Sequence, residues 1–438
     1  MELLRAPILE GSWRTLVGAT VSAVMPVEAP TPNDGRALRA VVLVGAAIRI
    51  AYVLTKWNKP LQLNDSYYYS GQAYQLAHGR LFRELFVDQP GAEHGPLTSI
   101  LMAPVSWGDD YVRWQRLVTV ASGIALVWLL GKLGTRLGGR RVGLCAAGIG
   151  AVAPTLWMND GLVMSESISM LLVACVLWFA LDAAERGERR SLAALGVVLG
   201  LGALARSELA LLVPLVLLWL AVCYRRRGAR IMPAVLPVAA VASLVLLPWV
   251  AFNLARFERP VVLTTNDGTT WLGANCDGAF RGESLGGWTL DCVHGDPLYR
   301  MDEEPSVRSA RHRSLAVRYV RDHLADVPRV VLARLGRTLD LYGLADLVHQ
   351  DVGEERPRWA AWAGVVSFWV MAPAALFGAR LLRRRDRWLL ALPCVLVVFT
   401  TVLFYGGHRI RSSAEPVLVL LAALALSHAL RPRRSRLP

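Results

Sequence analysis

The feature that most constrains this chain is a series of apolar runs, several approaching the roughly 20 residues an α-helix needs to cross a bilayer core of about 30 Å. They fall at about 37–55, 113–132, 141–158, 164–182, 191–205, 208–224, 231–252, 359–380, 388–404 and 414–430. Composition agrees: 54% of the residues are hydrophobic, 19% are charged and the mean hydropathy is +0.38, outside the usual range for a soluble enzyme of this length. The expected fold class is an all-α polytopic membrane protein with about ten transmembrane helices. A net charge of +14 raises the question of nucleic acid. The arginines, however, sit in short clusters beside the apolar runs and not along one polar face, which is the signature of membrane topology and not of a nucleic-acid partner.

Arginine placement tests the count. Lys132, Arg136, Arg140 and Arg141 share one connection, Arg225, Arg226, Arg227 and Arg230 a second, and Arg383, Arg384, Arg385 and Arg387 a third, while Arg431, Arg433, Arg434 and Arg436 mark the C-terminal tail. With ten spans all four clusters fall on one side, which the positive-inside rule makes cytoplasmic. The connection from Asp182 to Arg190 is neutral. Residues 97–107 are apolar but too short to cross, and Pro104 interrupts them. They are read as interfacial or re-entrant, because counting them as a span would turn the later clusters to the wrong side. The chain is therefore expected in the plasma membrane with both termini cytoplasmic and its long loops outside.

The expected organisation is a cytoplasmic tail over 1–36, a transmembrane module over 37–252 that includes an outer loop at 56–112, an extracytoplasmic segment over 253–358, C-terminal spans over 359–430 and a basic tail over 431–438. No cleavable signal is apparent, since Met1 to Ala29 lacks a clean apolar core. In the outer segment, residues 260–300 are rich in Gly, Asn, Asp and Thr and read as an ordered loop. Residues 306–325 and 328–342 show helical spacing, with Pro328 expected to separate two amphipathic helices near the membrane surface. Its 14 Arg against 16 Asp and Glu imply no strong field, so the segment reads as a lid or an acceptor-docking region. Cys276 and Cys292 are the two cysteines of this outside loop and are predicted to form a disulfide. Cys145, Cys175, Cys223 and Cys394 lie in or at the ends of spans as packing residues.

The candidate chemistry gathers on the same side. Asn64-Asp65-Ser66 precedes a helix expected to end near His78 with Gly79 as its cap, a pattern in which Asp65 or Ser66 by itself reads as the helix N-cap. Asn159-Asp160 and Glu166 lie on that side too, and Glu166 stands inside an apolar run, where an ionisable group is costly unless paired or lining a polar cavity. Arg206 and Glu208 interrupt two apolar runs there, either as a turn-forming ion pair or as part of a site. Arg49, in the outer part of span one, either snorkels or touches substrate. His94, in Glu93-His94-Gly95-Pro96-Leu97, is a solvated loop residue or stands near the same mouth. Tyr405-Gly406-Gly407-His408-Arg409-Ile410-Arg411 forms a basic turn suited to phosphate oxygens, of a substrate or of lipid headgroups.

At these residues the chain resembles the C-type glycosyltransferases (GT-C), near the branch of protein O-mannosyltransferases and aminoarabinose transferases. The resemblance runs through Asn64-Asp65 with Tyr69, Ala73, Leu76 and Gly79, through His94-Gly95-Pro96-Leu97, Arg116-Leu117, Ser165-Glu166-Ser167 and Ala205-Arg206-Ser207-Glu208. It continues in Pro248-Trp249 with Asn253 and Phe257, and in Arg409 to Pro416. It implies a hexosyl or pentosyl donor carried on a polyprenyl phosphate, transfer to a protein, lipid or polysaccharide hydroxyl at the outer face, and Asp65 as catalytic base. The family's first motif is often a pair of acids, and here Asn64 stands in place of one; Asn159-Asp160 replaces an Asp-x-Asp pattern.

On these positions Asp65 would take the acceptor's proton with inversion at the anomeric carbon. Arg409, Arg411 and Arg206 would hold the departing phosphate, with Glu166 as a second catalytic carboxylate and Glu208, His94, His408 and Arg49 as further substrate contacts. A divalent cation, Mg or Mn, bridging Asp65 with Asp160 or Glu166 would serve the same end. Two other readings are a transporter or flippase for a lipid-linked sugar, which is expected to hold its site near the bilayer midplane, and a noncatalytic assembly protein acting through residues 253–358.

Overall fold

The computed structural model describes residues 32–430 except Leu63, Tyr299 and Met301. The expected basic tail at 431–438 and nearly all of the expected N-terminal tail lie outside the described residues. The described residues are helical apart from turns and loops, with a single isolated bridge between Arg83 and Pro90. In chain order the longer helices are α1 (Pro32–Leu54), α2 (Asp65–Ala77), α3 (Leu97–Met102), α4 (Tyr111–Gly138), α5 (Arg140–Val152), α6 (Glu166–Arg186), α7 (Arg189–Ala205), α8 (Leu212–Arg226) and α9 (Met232–Leu254). They are followed by α10 (Asp267–Ala274), α11 (Pro305–Asp322), α12 (Val327–Thr338), α13 (Leu344–Gly353), α14 (Arg358–Arg380), α15 (Arg384–Leu403) and α16 (Glu415–Ala429).

Eight helical stretches among the described residues are long and apolar enough to cross a membrane. The other two expected spans are helices as well, but short: α5 has 13 residues and α7 has 17. α5 stops early because Pro154 drives Ala153 to an extended conformation, and one further turn, Pro154–Trp157, follows. Residues 97–107 form only α3 and a single 3-10 turn at Ala103–Val105, too short to cross, as their length implied.

The last span is the axis of the bundle. In the 18-residue apolar window within His408–Ala429, 83% of the residues are buried, against 17% in the corresponding window of α9. Close approach of α14 to α16 depends on Gly378, where an added Cβ would lie 1.9 Å from the Leu421 carbonyl oxygen. At the rim, Leu43, Leu218, Leu244, Val370 and Leu376 are exposed, an apolar belt that suits lipid and not water.

One end of the bundle carries all the long loops, residues 56–110, 255–357 and 404–407. Arg256 clamps the first of them: its guanidinium lies 4.2 Å from the Phe252 ring and its Nη2 donates to the Gly91 carbonyl at 2.7 Å. The Thr265 N–H donates to the Ala92 carbonyl at 2.8 Å. In the segment 255–357, Cys276 and Cys292 are joined in a disulfide with a Cα–Cα distance of 6.1 Å. The amphipathic pair appears as α11 and α12. Pro328 is not the break between them: it lies in the first turn of α12, where a missing N–H costs nothing.

Candidate functional site

The first question is what caps α2. The answer is Asn64: its side-chain oxygen accepts the Ser66 N–H at 2.8 Å. Asp65, one residue on, is therefore free of the capping task. Its Oδ2 meets Arg409 Nη2 at 2.6 Å, and its Oδ1 lies 3.4 Å from His94 Nε2. Burial works against the charged form of this carboxyl, but the Arg409 guanidinium and then His94 outweigh it and hold the group well below the usual carboxylate range. Burial likewise pulls His94 down, yet Asp65 overrides it and raises the imidazole above its ordinary value.

His94 is placed by packing. Its ring stacks on Tyr69 at 4.9 Å and meets Tyr68 edge-on at 5.3 Å, while the Glu93 N–H donates to the Tyr68 hydroxyl at 2.9 Å. The next residue has to be glycine. A Cβ on Gly95 would stand 2.4 Å from the Leu204 carbonyl oxygen at the end of α7, so the loop that carries His94 rests directly on the helix that delivers Arg206.

Arg409 is the hub. Besides Asp65 it donates from Nε to Glu166 Oε1 at 2.8 Å and from Nη1 to Glu354 Oε1 at 3.1 Å. Three carboxylates from three distant parts of the chain thus converge on one guanidinium. Arg206 Nη1 also donates to Glu166 Oε1, at 3.0 Å, and its Nε donates to Glu208. Glu166 is 1% exposed, and its other oxygen, Oε2, has no hydrogen-bond partner among the described residues.

The network continues inward. Glu354 also accepts from Arg356, which bonds Asn159 Oδ1 at 2.8 Å and Asp351 Oδ1 at 3.1 Å. His408 bridges Asp351 and Asp340, at 2.7 Å to each. Arg411 then joins Asp340 at 2.6 Å to Glu415 at 2.9 Å and rests on the Phe368 ring.

The sequence-derived candidates therefore separate. Asp65, His94, Glu166, Arg206, Glu208 and Arg409 come together. His408 and Arg411, expected to touch substrate, are instead engaged with Asp340, Asp351 and Glu415. Arg49 neither snorkels nor reaches the site: its Nε pairs with Asp160 Oδ2 at 2.6 Å, both side chains are essentially unexposed, and its Nη groups donate to the Gly150 and Ala151 carbonyls. That pairing occupies Asp160 and takes it out of the expected metal set. The residues present do not fit a divalent ion. Both Asp65 oxygens face cations, Glu166 Oε1 is shared by two arginines, and no group of three or more His, Cys, Asp or Glu suited to a metal occurs among the described residues.

Sequence reasoning missed Asp340, Asp351, Glu354, Glu355 and Arg356. Glu355 holds Arg116 at 2.9 Å and lines a cavity of about 300 Å³ with Lys56, Lys59 and Gln62. The available signal was Glu354-Glu355-Arg356 standing immediately before Pro357 and a span.

Helix order, bundle and charge-lined loop end together define an all-α polytopic membrane protein, and its fold is similar to that of solved GT-C membrane enzymes. The family whose description matches is dolichyl-phosphate-mannose-protein mannosyltransferase, over residues 108–252. Among solved structures, the archaeal oligosaccharyltransferase AglB from Archaeoglobus fulgidus, in complex with an inhibitory peptide and a dolichol-phosphate, superposes with a TM-score of 0.57 at 16% identity. That match covers 91% of this chain and 51% of that one. An Archaeoglobus fulgidus oligosaccharyltransferase in the apo form gives 0.58 at 14% identity over 90% and 50%. ArnT from Cupriavidus metallidurans bound to undecaprenyl phosphate gives 0.41 at 15% identity over 88% and 78%. The chain spans about half the length of the oligosaccharyltransferase structures it matches. No curated protein matches it by sequence.

Proposed function

We propose that the protein is a membrane glycosyltransferase that moves a hexosyl or pentosyl unit from a polyprenyl-phosphate donor to an acceptor hydroxyl on a protein, lipid or polysaccharide. The loop-bearing end then faces the extracytoplasmic side, with both termini in the cytoplasm. The observation that carries the reading is Asp65, relieved of capping by Asn64 and paired with Arg409 at 2.6 Å at the mouth of the bundle. The fold shared with an oligosaccharyltransferase whose structure holds a dolichol-phosphate supports the donor class.

A carboxylate held this low is a weak base, so the resting pair has to open before Asp65 can act. The donor's phosphate supplies the means. It competes for Arg409, and as the guanidinium turns to the phosphate the carboxylate loses its main counter-charge and gains basicity. The acceptor oxygen then bonds to the anomeric carbon as the carbon–oxygen bond to phosphate breaks, its proton passes to Asp65, and the polyprenyl phosphate leaves with its charge met by Arg409. Inversion follows from a single displacement. Glu166 holds Arg409 through Oε1. Since the residues do not form a metal set, no step is routed through an ion.

The test is to incubate purified protein with a panel of polyprenyl-phosphate sugars and follow donor cleavage and transfer. Asp65→Asn is expected to abolish transfer with the fold intact. Near-normal turnover by that variant would remove Asp65 from catalysis. Movement of sugar across vesicles without a glycosidic product would make the protein a transporter.

A further inference from the structure

The segment that supplies Asp340, Asp351 and Glu354 packs against two of the apolar spans, α14 and α15. α12 docks against the last turn of α15: Arg334 Nη1 donates to the Val402 carbonyl at 2.8 Å, and the Thr338 and Thr401 hydroxyls are 3.0 Å apart. The turn that follows is bonded to α14, where Trp369 Nε1 donates to the Asp340 carbonyl at 2.9 Å. Trp369 is the twelfth residue of that 23-residue span. At 1.5 Å per residue it stands about 16 Å along that helix from its loop-bearing end, near the helix midpoint.

What the segment exposes agrees with that depth. Between Val330 and Val348 the exposed residues are Leu332, Leu339, Leu341, Tyr342 and Ala345, none of them charged. Leu332 is 70% exposed and Leu341 72%. α11, which precedes it, instead exposes Arg313, Ser314, Arg318, Arg321 and Asp322. Between Val330 and Val348 the charged groups turn inward. Arg334 bonds Asn275 and the Ala274 carbonyl, Arg337 pairs with Asp346, and Asp340 pairs with His408 and Arg411. The turn's backbone is held by its own bonds, with the Leu341 N–H donating to the Gly336 carbonyl at 2.8 Å. A soluble lid has no use for such a pattern, whereas irregular backbone at membrane depth survives only under these conditions.

We infer that α12, the turn Leu339–Gly343 and α13 form a re-entrant hairpin whose tip is immersed in hydrocarbon, with the acyl chains of the bilayer as the partner of its exposed face. It continues the apolar belt of Val366 and Val370 on α14 and places two carboxylates of the charge network, Asp340 and Asp351, on a lipid-anchored element, with Glu354 immediately after it.

The test is spin labelling of the full-length protein in proteoliposomes. Cys145, Cys175, Cys223 and Cys394 are replaced and the disulfide is kept. Nitroxides are placed at Leu341→Cys, at Val370→Cys as a lipid-facing reference and at Arg318→Cys as a water-facing one. The label at 341 is expected to collide with oxygen and lose collision with a water-soluble nickel complex, as at 370. Nickel collision equal to that at 318, or shielding from both reagents as under a protein partner, would overturn the inference. Leu332→Cys is read by the same criteria where the variant at 341 does not fold.

Discussion

Glu166→Gln removes the one negative charge that Arg206 and Arg409 share. Glu166 Oε1 accepts from Arg409 Nε at 2.8 Å and from Arg206 Nη1 at 3.0 Å, and the side chain is 1% exposed. Charged hydrogen bonds of this kind contribute about 1.5–3 kcal/mol each. Neither arginine is stranded by the change, because Arg206 keeps Glu208 and Arg409 keeps Asp65 and Glu354. The two guanidinium groups are nonetheless left facing each other without their common counter-ion. The expected loss is about 3 kcal/mol, at the lower end of what breaking a buried pair costs. It is measured by reversible unfolding in mixed detergent micelles for Glu166→Gln, Arg206→Gln and the double variant. Residues in one network are expected to couple, by about 0.5–3 kcal/mol, so the double variant loses less than the sum. A loss below about 0.5 kcal/mol, the scale of an ordinary surface substitution, together with strict additivity, would refute the view that the shared carboxylate holds the site together.

The other predictions concern the rim. Asp65 is held below its ordinary range, so its pairing contributes above about pH 4 and is lost as pH falls through the folded value; His94 is raised, so its contribution is complete below about pH 6.5 and is lost as pH rises through the folded value. Thermal midpoints across that range should fall on both sides, and His94→Gln should flatten the alkaline limb; an unchanged limb would clear His94. Replacing Cys276 and Cys292 together by Ser should lower stability by about 3 kcal/mol for a loop of this length, read as the denaturant midpoint with and without reductant. Gly95→Ala should lower the melting temperature, by about 1–3 kcal/mol of overpacking, and weaken donor turnover with it, since His94 has to move; wild-type turnover in that variant would show that His94 has no positioning duty.

The spans were legible because hydropathy over 20 residues is set by bulk transfer energy and needs no knowledge of neighbours. The convergence of Asp65, Glu166, Arg206 and Arg409 was legible through topology, since ionisable groups at one end of apolar runs have few places to go. The cap at Asn64 was not, because Asn64, Asp65 and Ser66 are all competent caps and only backbone geometry chooses among them. Asp340, Asp351 and Glu354 were hidden for another reason: in a segment with nearly balanced charge, no composition window separates buried pairs from solvated ones. The depth of α12 was hidden too, because Arg334 and Arg337 make it read as a surface helix until their inward partners are known.

The pair between Arg49 and Asp160 bears on how the chain is made. Arg49 belongs to the first span and bonds the last carbonyls of α5 as well as Asp160, all of which lie beyond it in the chain. At about 5–20 residues per second, roughly 5 to 20 seconds of synthesis separate the two partners. During that interval the first span carries a cation with nothing to neutralise it, at a penalty of up to about 2.5–3.5 kcal/mol were it at the centre of the bilayer. The first helix can therefore enter the membrane early but settle only late, when the third arrives. The order of assembly is written into a single buried ion pair.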